Sequence, residues 1–157
     1  AALGVQAVLR EAGGEIRRVP LLPLDGLLER LEEATQASWP RPKMLIASFP
    51  HNPTTATVDL PFLTRMVDFC RRHDLIFVHD LAYAEICYDG YKPPSALQVP
   101  GALDCTIEFT SLSKSHAMAG WRVGFAAGNP DMIHALGRIK SYLDYGMPTP
   151  IQVGRGR

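Results

Sequence analysis

Lys114 stands in the stretch Ser111-Leu112-Ser113-Lys114-Ser115-His116, and Gly120-Trp121-Arg122 closes the same segment. A lysine amine captures an aldehyde as a Schiff base. Hydroxyls donate hydrogen bonds to a phosphate and a guanidinium grips it with a two-pronged fork. Ser111, Ser113 and Arg122 would therefore suit a phosphate carried by the same aldehyde compound. Upstream, Asn52 follows the apolar run Met44-Leu45-Ile46-Ala47, Asp80 follows Leu75-Ile76-Phe77-Val78, and Tyr83 lies shortly beyond Asp80. Singly, each has a bland reading as a solvated lysine, a capping carboxylate, a turn asparagine or a packed aromatic. Their meaning depends on whether the fold delivers them to one place.

The elements that must do so follow from pattern and punctuation. Val5 to Ala12 reads as a helix stopped by Gly13-Gly14, and Ile16 to Val19 reads as a short strand. Asp25 is placed to cap a second helix with Leu24, Leu27, Leu28 and Leu31 on one side. Ser38-Trp39-Pro40-Arg41-Pro42 breaks the chain before Met44-Leu45-Ile46-Ala47, a run short enough for a strand buried on both faces inside a parallel sheet. Asp59 caps the next helix, with Pro61 in its first turn, an apolar face of Leu60, Leu63, Met66, Val67 and Cys70, and Arg65, Arg71 and Arg72 toward water. Leu75 to Val78, Thr106 to Thr110 and Arg122 to Ala127 read as further strands, and Asp131 starts a last helix to about Tyr142.

Strand, helix and strand in this order make a right-handed crossover whose strands run parallel. The fold class is α/β with a mainly parallel sheet, and a single domain is the economical account, since no repeat or linker of distinct composition interrupts the chain. Ligands of such sheets bind beyond the carboxyl ends of the strands. Asn52, Asp80, Tyr83, Ser111, Ser113 and Lys114 all fall at that edge.

Composition narrows the partners. The chain has 157 residues, with sixteen basic and sixteen acidic side chains, so nothing in its charge suits nucleic acid or an anionic membrane surface. No apolar run approaches the roughly 20 residues of a membrane span. Cys70, Cys87 and Cys105 are scattered and lack metal-ligand spacing, as do the histidines. A soluble, cytoplasmic protein acting on a small molecule is expected.

The aldehyde that matches this residue set is pyridoxal 5'-phosphate. Its ring draws in electrons only while its nitrogen is protonated, which asks for a carboxylate partner, and Asp80 is available. Lys114 would hold the aldehyde and move the substrate proton, while Tyr83 and Asn52 could bond the ring oxygen.

Asn52-Pro53-Thr54, Asp80-Leu81-Ala82-Tyr83 and Ser111-Leu112-Ser113-Lys114 with Gly120-Trp121-Arg122 resemble, as a set, the central part of a class I/II pyridoxal-phosphate aminotransferase of fold type I. The resemblance covers almost the whole chain. It implies a three-layer sandwich around a mainly parallel sheet and transfer of an amino group between an amino acid and a 2-oxo acid. It also implies roles: Lys114 as Schiff-base lysine, Asp80 as partner of the ring nitrogen, Asn52 and Tyr83 as ring-oxygen contacts, and Ser111, Ser113 and Arg122 as phosphate ligands. Lys114, Asp80 and Tyr83 would form the catalytic set. His116 stands where relatives often have Tyr or Phe, and His79 reads as a strand residue packed near the cofactor rather than a catalyst. The text from His79 through Ser95 is similar to the branch containing alanine, aspartate and LL-diaminopimelate aminotransferases and does not choose among them.

Residues 1–157 are then expected to be a partial cofactor-binding large domain. The N-terminal segment with a phosphate-cradling helix, and the C-terminal small domain with the arginine for the substrate carboxylate, would lie outside it. Residues 153–157 depart from the apolar helix expected there. A homodimer is implied by the same resemblance. Rival readings are another fold-type I enzyme, such as a lyase, a decarboxylase or a cyclopropane-forming synthase, and a non-catalytic fragment. Dinucleotide binding is disfavoured because no Gly-x-Gly-x-x-Gly follows the early strands.

Overall fold

The computed structural model describes residues 9–144 and 146–154. The chain forms two compact units, Ala1–Lys43 and Met44–Arg157. In the first unit residues 9–11 are helical, and Gly13 at φ 77 turns the chain out of the helix, as the Gly13-Gly14 pair predicts. The expected start of that helix at Val5 lies outside the described residues. Ile16 to Val19 is not a strand. A strand is defined by hydrogen bonds to a neighbour, and among the described residues no strand pairs with this segment.

Helix α1 spans Leu27–Gln36 and buries Leu27 and Leu31, two of the predicted leucine stripe. Its N-cap is Gly26 at φ 80, not Asp25. The chain leading into the helix is held instead by Arg30, whose guanidinium donates to the carbonyls of Pro20, Leu21, Pro23 and Asp25.

The second unit is built on a four-stranded sheet in the order β1-β2-β3-β4. The strands are β1 (Met44–Ser48), β2 (Ile76–Asp80), β3 (Thr106–Ser111) and β4 (Gly124–Gly128). The first three run parallel, with Ser48 opposite Asp80 and Asp80 opposite Phe109, so their carboxyl ends share one edge. β4 runs antiparallel, with Gly124 opposite Ser111 and Gly128 opposite Ile107. A Cβ on Gly128 (φ 144) would collide with the Thr106 carbonyl, so this close pairing requires glycine.

Helix α2 (Leu60–Arg72) makes the crossover between β1 and β2. The Asp59 carboxylate accepts from the Phe62 N–H at 2.8 Å, and a proline occupies the first turn, as the sequence predicts. Phe62, Leu63, Met66, Val67, Phe69 and Cys70 are buried, while the guanidinium groups of Arg65 and Arg72 lie over the Phe62 and Phe69 rings. Burial, with a smaller contribution from Cys105, pushes the Cys70 thiol up to about 12, so it stays protonated at neutral pH.

β1 departs from the expectation of a strand buried on both faces. Met44 and Ile46 are exposed on the side they share in register with Ile76 and Val78, which are only partly buried, whereas Phe77 and His79 on the other side are fully buried. Beyond β3 follow the short helix α3 (Leu112–Ser115), helix α4 (Pro130–Leu143), capped by Asn129, and helix α5 (Thr149–Gly154). Residues 153 and 154 are helical, while 155–157 lie outside the described residues. Among the described residues no helix is long and apolar enough to cross a membrane.

Candidate active site

Three chain reversals at the carboxyl edge of the sheet carry the residues singled out in the sequence. The first follows β1. The His51 N–H donates to the Ala56 carbonyl at 2.9 Å and the Thr55 N–H to the His51 carbonyl at 2.7 Å, closing a tight loop in which Thr55 takes φ 58. Asn52 rides on this loop, exposed.

The second reversal follows β2. Asp80 is the last residue of the strand, and its carboxylate accepts from the Ala82 N–H at 3.1 Å, which starts the turn that carries Tyr83. Asn52 Nδ2 donates to the Tyr83 hydroxyl at 2.9 Å, joining the first two reversals.

The third follows β3. Ser111 caps α3, its hydroxyl accepting from the Ser113 N–H at 3.2 Å. The Ser115 hydroxyl donates to the Ser111 carbonyl at 3.2 Å and tightens the same turn. Lys114 projects from α3 with its Nζ 5.8 Å from the centre of the Tyr83 ring, within cation–π range. Asn52, Tyr83 and Lys114, far apart in sequence, thus meet directly.

Arg122 reaches this edge through sheet register. Because Gly124 pairs with Ser111 and the Leu112 N–H donates to the Val123 carbonyl at 3.1 Å, Arg122 enters β4 beside the start of α3. Its backbone is left-handed at φ 54, and its guanidinium donates to the Ala119 carbonyl at 3.1 Å. Ser111, Ser113 and Arg122 therefore flank one short helix, while Asp80 stands at the end of the neighbouring strand.

This donor set fits pyridoxal 5'-phosphate in kind. An amine faces an aromatic ring whose hydroxyl is already bound by an amide, a carboxylate ends the adjacent strand, Ser111 and Ser113 belong to the same turn as the amine, and Arg122 leads into the strand paired with Ser111.

The profile of the family described as "Aminotransferase class I and II" matches residues 4–153. The chain belongs to the class I and II aminotransferases. Members of this family use pyridoxal 5'-phosphate. Over 142 residues the chain is 53% identical to the glutamate-pyruvate aminotransferase AlaC of Escherichia coli (strain K12), a match covering 90% of this chain and 34% of that protein. It is 49% identical to an LL-diaminopimelate aminotransferase of Nitratidesulfovibrio vulgaris (strain DP4), with 90% of this chain and 37% of that protein covered. Among solved structures, a probable N-succinyldiaminopimelate aminotransferase from Thermus thermophilus superimposes with a TM-score of 0.80 at 34% identity, covering 90% of this chain and 38% of that one. The chain spans about a third of the length of the curated relatives it matches.

One polar group of the aminotransferase sheet escaped the sequence reading. His79 is a strand residue, as expected, but successive side chains of a strand point to opposite faces. Its ring lies opposite Asp80, fully buried, with Nδ1 2.8 Å from Glu108 Oε2. Burial alone would raise the Glu108 carboxyl, but hydrogen bonds from His79, Ser95 and Ala96 and attraction to the imidazole hold it below its ordinary value. The signal was present as one ionisable residue inside each of two neighbouring apolar strands, Ile76-Phe77-Val78-His79 and Thr106-Ile107-Glu108-Phe109.

Proposed function

We propose that this chain holds pyridoxal 5'-phosphate at the carboxyl edge of its sheet and serves transfer of an amino group between an amino acid and a 2-oxo acid. The observation that carries the reading is the direct meeting of Asn52, Tyr83 and Lys114 at the edge where Asp80 ends β2. Family membership supplies the reaction class.

When bound, the cofactor supplies an electron-withdrawing ring that takes up the pair left on the substrate carbon as its proton departs. Lys114 Nζ would be the amine that holds the cofactor aldehyde and the base for the substrate-carbon proton. Asp80 would accept from the protonated ring nitrogen and favour its protonated form. The Tyr83 hydroxyl, oriented by Asn52, would face the ring oxygen, and Ser111, Ser113 and Arg122 would hold the phosphate. In this reading residues 1–157 form the central part of a cofactor-binding large domain, acting in the cytoplasm as part of a homodimer.

The test is covalent capture. The purified chain mixed with pyridoxal 5'-phosphate and reduced with borohydride should carry a pyridoxyl group on Lys114, detected by peptide mass. No label on Lys114 would refute the reading. In the full-length protein Asp80→Asn should retain the cofactor and lose at least ~100-fold in turnover of an amino acid with a 2-oxo acid, the low end of what a proton-holding group contributes.

A further inference from the structure

Glu108 is the most heavily bonded side chain on the covered face of the sheet. Its Oε2 accepts from His79 Nδ1 and from the Ala96 N–H, each at 2.8 Å, and its Oε1 accepts from the Ser95 hydroxyl at 2.7 Å. The three donors come from two places in the chain. His79 lies directly opposite Glu108 in the β2–β3 ladder, whereas Ser95 and Ala96 open the short 3-10 turn Ala96–Gln98, which Ser95 caps.

Those two places bracket one segment. Between His79 and Ser95 run Asp80, Tyr83 and a stretch of turns and irregular backbone that contains neither helix nor strand beyond Asp80. It has other fastenings. The Leu81 N–H donates to Phe109, three backbone turn bonds, the Asp80–Ala82 bond and a Cys87 Sγ contact to the Tyr83 carbonyl lie within the segment, Tyr83 meets Asn52 and Lys114, and the Tyr91 hydroxyl donates to the Val58 carbonyl at 2.7 Å. A carboxylate is an unusual choice for this location, since the imidazole it binds is flanked by the Phe49 and Phe77 rings at 6.4 and 5.8 Å. Among the described residues His79 Nε2 has no hydrogen-bond partner, and an ionised Glu108 facing Nδ1 can only accept, so the proton of that bond belongs to the imidazole.

We propose that Glu108 is a positioning residue of the cofactor site: by holding His79 and Ser95–Ala96 on one carboxylate, it sets the path of the segment that presents Asp80 and Tyr83. The proposal rests on the reading of the sheet edge as a pyridoxal phosphate site. Glu108 itself touches neither cofactor nor substrate and acts through the chain on either side of those residues. A short closed segment tied at both ends samples fewer conformations than one tied at one end, so Asp80 and Tyr83 are held in place before the cofactor arrives.

The test compares the purified chain with Glu108→Gln and Ser95→Ala. Glutamine keeps the shape but has one acceptor oxygen. Placed at Oε2 it serves His79 and Ala96 and turns the NH2 toward the Ser95 hydroxyl; placed at Oε1 it serves Ser95 and turns the NH2 toward both N–H groups. Either orientation loses the charge and at least one acceptor. Alanine at 95 leaves the His79 and Ala96 bonds and removes only the hydroxyl's part of the far tether, together with its cap on the Leu97 N–H. Two quantities are measured: affinity for pyridoxal 5'-phosphate by absorbance, and amide hydrogen exchange resolved along the chain without cofactor. Loss of a charged hydrogen bond should weaken cofactor binding by roughly tenfold in Glu108→Gln, and less in Ser95→Ala, with faster exchange confined to residues 81–94 in both. Exchange that rises evenly through β1, β2 and β3 would make the pair an ordinary core contact and overturn the proposal. Normal binding by the unsubstituted chain, with Glu108→Gln unchanged in both affinity and exchange, would overturn the clamp while leaving the cofactor reading intact. Failure of the unsubstituted chain to bind the cofactor would overturn both.

Discussion

His79 and Asp80 are consecutive residues of β2 that belong to two differently built regions. His79 faces the covered side of the sheet, where Phe49, Phe77 and Leu63 are each no more than 1% exposed. Asp80 opens onto the carboxyl edge, where Asn52, Lys114 and Arg122 are all exposed and are held by single hydrogen bonds or a ring contact. The covered side concentrates buried apolar area, the main favourable term in folding. The edge contributes little of it. Substitutions should therefore separate into those that lower stability while sparing the chemistry and those that do the reverse.

The largest effect is expected from Leu63→Ala, which removes a side chain with no exposure from the middle of α2. Denaturant unfolding should show a loss of about 2–5 kcal/mol, with cofactor affinity unchanged in the protein that remains folded. Asp59→Ala, which deletes the α2 cap, should cost about 1 kcal/mol in the same measurement. Acidification should strike the covered side too. Glu108 has a lower value folded than unfolded, so its contribution is complete above the ordinary carboxylate range near ~4.3 and is lost as pH falls through the folded value. Urea midpoints taken from pH 7 downward should fall less steeply for Glu108→Gln than for the unsubstituted chain.

At the other extreme, Lys114→Ala should shift stability by no more than about 0.5 kcal/mol while eliminating borohydride capture of the cofactor. A loss well above 1 kcal/mol there would break the division between the two regions. The smallest change of all is expected for Tyr142→Ser on α4, where the side chain is 89% exposed. Its unfolding midpoint should match that of the unsubstituted chain.

Much of the edge was legible because its signals are local. Asp59 and Pro61 start α2, apolar runs make β2 and β3, and a helix between two short strands fixes their parallel direction, which together bring Asn52, Asp80 and Lys114 to one side. Most of what stayed hidden depends on partners far away in the chain. Ile16 to Val19 has the composition of a strand but no neighbour in the described residues. Gly26 and not Asp25 caps α1, and Arg30 fastens the carbonyls just before it, a local set of side-chain-to-backbone bonds that capping preferences do not read. The exposure of Met44 and Ile46 follows from which side of the sheet is covered, which the apolar run alone cannot encode. The His79–Glu108 pair needed the register of two strands, in which a slip of a single residue would put Asp80 where His79 now lies.

Arg122 adopts a left-handed backbone at φ 54, a conformation that costs a residue with a Cβ roughly 1–2 kcal/mol relative to glycine. Its side chain is exposed, so packing does not repay that strain. Arg122→Gly would relieve the backbone, partly offset by the greater freedom of glycine in the unfolded chain. With Arg122 as the proposed phosphate ligand, the most comfortable residue at this position and the most useful one differ. A screen for thermal tolerance alone would drift toward glycine and discard the guanidinium, whereas a screen for cofactor retention would keep the arginine together with its strain.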